Sequence, residues 1–193
     1  MIESKPEDRI LEAALDVVKE KTISGTRMHL IAKQVDMAQS NLHYYFKTKD
    51  DLLLGLHNKV LQKCHELREE DKSNASDDLE SQLDVFFNQK RQFILNYKKY
   101  DFAEVDFWVQ TRTNPKIQKA FIESFQGWRN DIGKIIETYI PDLSDKNKEF
   151  IPAMMVSMLE GATMQYLIDE NSFDLDKYFA FCKSGILKII ENI

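Results

Sequence analysis

Between Ile117 and Tyr139 the large apolar residues Ile117, Phe121, Phe125, Trp128, Ile132, Ile135 and Tyr139 return at gaps of three or four. Only a helix gathers that spacing into one stripe. Asn114-Pro115 supplies a cap and a first-turn proline ahead of it, and Pro141 stops it. The same period recurs through the second half of the chain. Leu79, Leu83, Phe86, Phe87, Ile94 and Tyr97 mark one helix; Phe102, Val105, Trp108 and Val109 mark a shorter one, with Asp101 and Glu104 suited to its start. From about Ser144 a further helix carries Ile151, Met154, Met155, Met158, Ala162 and Tyr166, and from Asp174 the last carries Tyr178, Phe179, Cys182, Ile186, Ile189, Ile190 and Ile193. Six glycines and four prolines in 193 residues are too few for the turns of a sandwich or barrel. The fold class is all-α, with about nine helices.

The amino-terminal quarter has a different texture. A helix from about Pro6 to Lys21 sets Ile10, Ala14, Val17 and Lys21 in one row and Leu11, Leu15 and Val18 in a second. Ser24-Gly25-Thr26 breaks it, and Thr26 can cap the next helix. Two short amphipathic pieces come after it, Arg27–Val35 with Leu30, Ile31 and Val35, and Gln39–Phe46, joined at Asp36–Ala38. Helices this short need a neighbour to lean on. Thr48-Lys49-Asp50-Asp51 then places an acid three residues after a threonine, the signature of a capped start. The long helix it opens carries Leu53, Leu56, Val60, Cys64 and Leu67, and the polar stretch 69–78 reads as a loop.

Composition narrows the function. No run approaches the roughly 18 apolar residues of a membrane span, and Met1–Arg9 is charged rather than signal-like. Cys64 and Cys182 lie far apart without metal-ligand spacing, which fits a reducing cytoplasm. The net charge of -6 argues against a nucleic-acid partner until it is located. Residues 1–50 are balanced, with eight basic and eight acidic side chains, so the negative excess lies beyond them. Between 27 and 49, Arg27, Lys33, Lys47 and Lys49 face Asp36 alone, with His29 and His43 nearby. A polyanion could dock there.

Three helices in about forty residues, the last two short and joined by a tight turn, describe a helix-turn-helix. The run from Ile31 to Leu54, IAKQVDMAQSNLHYYFKTKDDLLL, and above all Asn41-Leu42-His43-Tyr44-Tyr45-Phe46-Lys47 with Lys49, closely resembles the DNA-binding domain of TetR-family transcriptional regulators. The resemblance is strong over residues 8–54 and elsewhere extends only to helical architecture and length. Leu42 and Phe46, four apart, can pin the second short helix down, leaving Gln39, Ser40, Asn41, His43 and Tyr44 outward. Asn and Gln can each bond an adenine edge with two hydrogen bonds. Tyrosines and lysines suit phosphate oxygens, which set register rather than sequence. The resemblance implies phosphate contacts from Tyr44, Tyr45 and Lys49, with Lys47 beside them, and base or adjacent backbone contacts from Gln39, Asn41 and His43. It also implies phosphate contacts from Thr26 and Arg27. Two positions depart from the family pattern: Asp36 stands where the turn usually has Gly, and Ala38 where the cap is usually Ser or Thr.

The expected organisation is a DNA-binding domain over 1–48 and a ligand-binding and dimerisation domain over 49–193. Its aromatic helices suggest a pocket for an apolar or aromatic effector, with Trp108, Phe121, Phe125, Trp128 and Tyr166 as walls. Asp106 and Arg112 are candidate anchors, and Glu160, among methionines, faces either a pocket or a seam. The resemblance places a homodimer on the last two helices, where Ile186, Ile189, Ile190 and Ile193 form a stripe that should not stay exposed. Two-fold symmetry then implies a palindromic operator. No cofactor, metal or membrane partner is expected. An enzyme finds no support, since the four histidines (29, 43, 57 and 65) form no ExxH or HExxH pairing and there is no phosphate loop. A TetR-like DNA-binding protein that acts constitutively or through a protein partner, without a small-molecule inducer, is the alternative.

Overall fold

A computed structural model describes residues 5–192. Among them are nine helices and no strand: α1 (Pro6–Gly25), α2 (Met28–Gln34), α3 (Gln39–Tyr45), α4 (Lys49–Lys72), α5 (Leu79–Asn96), α6 (Lys98–Gln110), α7 (Pro115–Tyr139), α8 (Asp145–Ile168) and α9 (Leu175–Glu191). Side-chain caps fix several helix starts. Thr48 and Asp51 form a reciprocal capping box, Asp51 N–H donating to Thr48 Oγ1 (3.1 Å) and Thr48 N–H to Asp51 Oδ2 (3.0 Å). Asn114 Oδ1 accepts from the amides of Lys116 and Ile117 at 3.1 and 3.3 Å, and Asp174 Oδ1 from Lys177 at 3.0 Å.

Two boundaries differ from expectation. Tyr97 does not close α5; it is the N-cap of α6, which starts at Lys98, three residues before Asp101. Apolar periodicity alone cannot separate two helices whose stripes abut. Helix α4 runs on to Lys72, into the stretch 69–78 expected as a loop. Helix α1 closes at Gly25 with Thr26 as its C-cap, within the expected Ser24-Gly25-Thr26 break, and directly after Lys21 a kink puts Thr22 at φ 59°, ψ 167°. A β-branched residue there is strained. Interactions from outside the helix hold the break: Ile23 N–H donates to Asp106 Oδ2 (2.8 Å), and Lys49 Nζ donates to the carbonyls of Ile23 (2.6 Å) and Thr26 (2.8 Å).

The chain forms two compact units. Among the described residues the first takes in 5–63 and 97–122, the second 64–96 and 123–192. The unit holding the first three helices also takes in residues beyond 1–48, because α6 packs along α1 and brings the start of α7 with it. Its core includes Ile10, Ala14, Leu15, Val18, Ile31, Leu42, Phe46, Leu52 and Leu56. Glu12 on α1 ties the unit together at its edge, with Lys59 Nζ at 2.9 Å, Lys99 Nζ at 2.8 Å and the Tyr100 hydroxyl donating at 2.9 Å.

The second unit buries Leu83, Phe86, Phe87, Ile94, Ile132, Ile136, Met155, Leu159 and Phe179. Glu160 faces neither seam nor solvent; its carboxylate meets Lys90 Nζ at 3.0 Å, with both side chains almost fully buried between α5 and α8. The isoleucine stripe of α9 needs correcting. Ile186 and Ile190 turn into the chain's own core, Ile189 is exposed, and Ile193 lies outside the described residues. A spacing of four returns to one helix face, whereas Ile189 sits a quarter turn round from Ile190. Exposed large apolar positions on the last two helices are Phe150, Met164, Ile168, Phe181 and Ile189.

Candidate nucleic-acid interface

The turn between α2 and α3 shows how this sequence builds a recognition element. Asp36 sits at φ 52°, a left-handed conformation that Asp tolerates better than most residues. Met37 N–H reaches back to Ala32 O (2.9 Å) and Asp36 N–H to Lys33 O (3.2 Å). That pair of bonds is a Schellman closure, which satisfies carbonyls that the end of α2 would leave open. Ala38 is the N-cap of α3 and offers no side-chain hydrogen bond, so the first turn of α3 keeps amides with no side-chain acceptor.

Helix α3 is held from one side only. Leu42 is fully buried and Phe46 nearly so. Phe46 presses on α4 at Gly55, where an added Cβ would lie 2.9 Å from its ring. A glycine is required there by close approach. On the opposite side Gln39, Ser40, Asn41 and Tyr44 are exposed, Tyr44 at 80%. Tyr45 is half-buried and meets Tyr44 edge-on, their ring centroids 5.2 Å apart. His43 bridges the helix end, its Nδ1 3.1 Å from Lys47 O and its Nε2 3.3 Å from Gln39 Nε2. An amide, a phenol and an imidazole therefore stand on one outward surface.

The cations divide into two groups. Arg27, Lys33 and Lys47 are exposed around this surface, with Arg27 also donating through Nη1 to Ser24 O (2.7 Å) and Thr26 O (3.1 Å). Lys49 is different: its ammonium is committed to the two carbonyls that end α1. Burial, and then the Arg27 guanidinium, lower its pKa from the ordinary lysine value. Thr26 is fully buried and its hydroxyl donates to Thr22 O (2.7 Å), so it closes α1 instead of capping α2. Both residues shape the surface from beneath.

The five aromatic wall residues are distributed over the two units. Trp108 and Phe121 belong to the first, where Phe121 stacks on the buried His57 (centroids 4.9 Å apart) and leans on Phe107 (6.0 Å). Burial pushes the His57 imidazole below its usual pKa, against smaller opposing effects from Glu104 and the Ala120 backbone. Phe125, Trp128 and Tyr166 belong to the second unit and pack against its core, Phe125 edge-on to Trp128 at 6.3 Å. The Trp128 indole N–H is buried with no hydrogen-bond partner among the described residues. A cavity of about 310 Å³ in this unit lies among α4, α5 and α7, with Val85, Phe86 and Ile135 as apolar wall and Arg68, Lys72 and Lys134 among its charged residues. None of the five expected wall residues lines it.

Sequence reasoning missed the residues that work by position. Gly55 interrupts a row of leucines, a detectable signal. The partnerships of Asp106 with Ile23 and of Asn114 with Asp50 span 83 and 64 residues and leave no local trace.

The chain is similar to proteins already known. Residues 10–56 match the model of the bacterial regulatory proteins, tetR family. An uncharacterized HTH-type transcriptional regulator in the dhlA 5' region of Xanthobacter autotrophicus is 23% identical over 170 residues, covering 86% of this chain and 82% of that protein. A transcriptional regulator from Rhodococcus sp. Rha1 superposes with a TM-score of 0.84 at 14% identity, over 97% of both chains. Another from Saccharomonospora viridis, solved in complex with choline, gives 0.81 at 20% identity, over 95% of this chain and 96% of that one.

Proposed function

We propose that the chain is a DNA-binding transcriptional regulator of the TetR family, and more specifically a dimeric repressor released by a small apolar or aromatic ligand. It is a transcription factor and not an enzyme. The observation that carries the reading is the one-sided anchoring of α3: Leu42 and Phe46 buried, Gln39, Ser40, Asn41 and Tyr44 open to a groove. Asn41, Gln39 and His43 read base edges or the adjacent backbone. Tyr44, Tyr45, Arg27 and Lys47 hold phosphates, and Thr26 and Lys49 keep the ends of α1 and α4 in place beneath them. Two such helices in a two-fold dimer enter major grooves about 34–36 Å apart or at a multiple of that spacing, which makes the operator a palindrome.

Met164, Ile168, Phe181 and Ile189 on α8 and α9 support a homodimer through those helices, since large apolar side chains gain by being covered. The unsatisfied Trp128 indole N–H supports a ligand with a hydrogen-bond acceptor in the carboxy-terminal bundle. The Saccharomonospora protein, similar in fold, was solved in complex with choline, which supports a small organic ligand for this chain as well. Helix α4 is one continuous helix with residues in both units, so a ligand that favours a shifted α4 also favours a shifted α3. No helix among the described residues is long and apolar enough to cross a membrane, and a regulator of this kind acts in the cytoplasm.

Footprinting on the DNA upstream of its own gene tests the reading. A two-fold symmetric protected site supports it; protection of a single half-site, or of none, contradicts it. A thermal-shift screen with small aromatic compounds separates inducible from constitutive action. The inducible reading requires that compounds which stabilise the protein also release the DNA.

A further inference from the structure

We propose that the corner between α6 and α7 is a second DNA contact, in which Arg112 and Lys116 grip phosphates flanking the groove that α3 reads. The proposal rests on α3 docking on DNA and adds to it a sequence-independent hold outside the helix-turn-helix.

The corner is tied to both elements that border the reading surface. Gln110 Nε2 donates to Ser24 Oγ (3.2 Å), two residues before Thr26-Arg27 and the start of α2. Asn114 Nδ2 donates to Asp50 Oδ1 (2.9 Å) in the first turn of α4, while its Oδ1 caps α7. Asp106, one turn before Gln110, accepts the Ile23 amide. The chain from 110 to 116 is thus fixed beside the starts of α2 and α4.

Its charge fits a polyanion. Arg112 and Lys116 are exposed, and neither has a carboxylate within ion-pair distance among the described residues. Lys116 lies close enough to Lys47 for both to act on one acid. Asp51 is held below the usual carboxylate range first by the Thr48 hydroxyl, and then, after smaller effects of burial and the Thr48 backbone, by the ammonium groups of Lys116 and Lys47. The two acids on this patch are engaged within the protein, Asp50 by Asn114 and Asp51 by Thr48. Arg27, Lys47, Arg112 and Lys116 remain as a cationic rim. A rim of mobile cations has no donor pattern for base edges, so its partner is the phosphate backbone.

The test compares the full chain with an Arg112→Gln/Lys116→Gln double variant. Fluorescence anisotropy would follow binding to a palindromic operator, trimmed or extended by about ten base pairs on each side, between 50 and 200 mM salt. The expected result is a slope of log affinity against log salt that is shallower by about 0.9 for each phosphate the variant no longer neutralises. The loss of affinity should be larger on the extended duplex, with preference for operator over scrambled sequence unchanged and an unaltered melting temperature. An unchanged slope on both duplexes overturns the corner contact. Failure of the underlying reading looks different: the unmodified protein would then show no preference for operator over scrambled DNA.

Discussion

Asp36 and Ala38 each carry a measurable cost of a residue that the turn does not favour. Asp36→Gly removes a Cβ from a left-handed backbone and is expected to raise stability by about 0.5–1 kcal/mol, whereas Asp36→Val lowers it. Ala38→Ser supplies the missing acceptor at the N-cap of α3 and should add about 0.5–1 kcal/mol. Denaturant midpoints at unchanged m-values check both. Titratable residues make opposite kinds of contribution to acid sensitivity. His57 is buried and its pKa is depressed below 6.5, so the folded state favours neutral imidazole. The stability it confers is full above 6.5 and lost as pH falls from there through the folded value. For Glu12, burial raises the carboxyl, but the Lys99, Lys59 and Tyr100 hydrogen bonds outweigh it and bring the value from 4.5 to about 2. Its contribution is present above 4.5 and disappears between there and about 2. Melting temperatures of His57→Gln should therefore flatten the pH dependence just below 6.5, and those of Glu12→Gln the dependence below 4.5.

At the scale of elements, α3 depends on the fit of Phe46 against Gly55. Gly55→Ala places a methyl 2.9 Å from the ring, so either Phe46 or α4 must move. The expected cost is about 1–3 kcal/mol, with weakened DNA binding as the ring that anchors α3 shifts. In the second unit, Glu160→Ala deprives the buried Lys90 of its carboxylate and should cost about 3–5 kcal/mol by chemical denaturation. These examples also show what a sequence can reveal. Helix starts at Thr48, Asn114 and Asp174 were legible because a cap is a local chemical signal, and the core side of α3 because Leu42 and Phe46 repeat at four. The end of the first helical run at Lys21 was legible, but the left-handed backbone of Thr22 was not, because Asp106 and Lys49 stabilise it from far along the chain. Nor was the inward turn of Ile186 and Ile190: a helix with apolar residues on two sides does not declare which of them meets its own chain.

For the whole molecule, symmetry is the step from a reading surface to a switch. Phe181 is 80% exposed on α9; if the proposed dimer forms through α8 and α9, Phe181→Glu should leave the fold intact while shifting sedimentation from dimer toward monomer, with a matching loss of affinity for a palindromic operator. The most direct measurement is anisotropy of a labelled operator duplex against the unmodified chain, Asn41→Ala and Tyr44→Ala, with melting temperatures as fold controls. The account predicts stable variants, with Asn41→Ala losing about 1–3 kcal/mol of discrimination for operator over scrambled DNA and Tyr44→Ala losing affinity for both. If both variants bind the operator as tightly and as selectively as the unmodified protein, the outward side of α3 is not the DNA-reading surface.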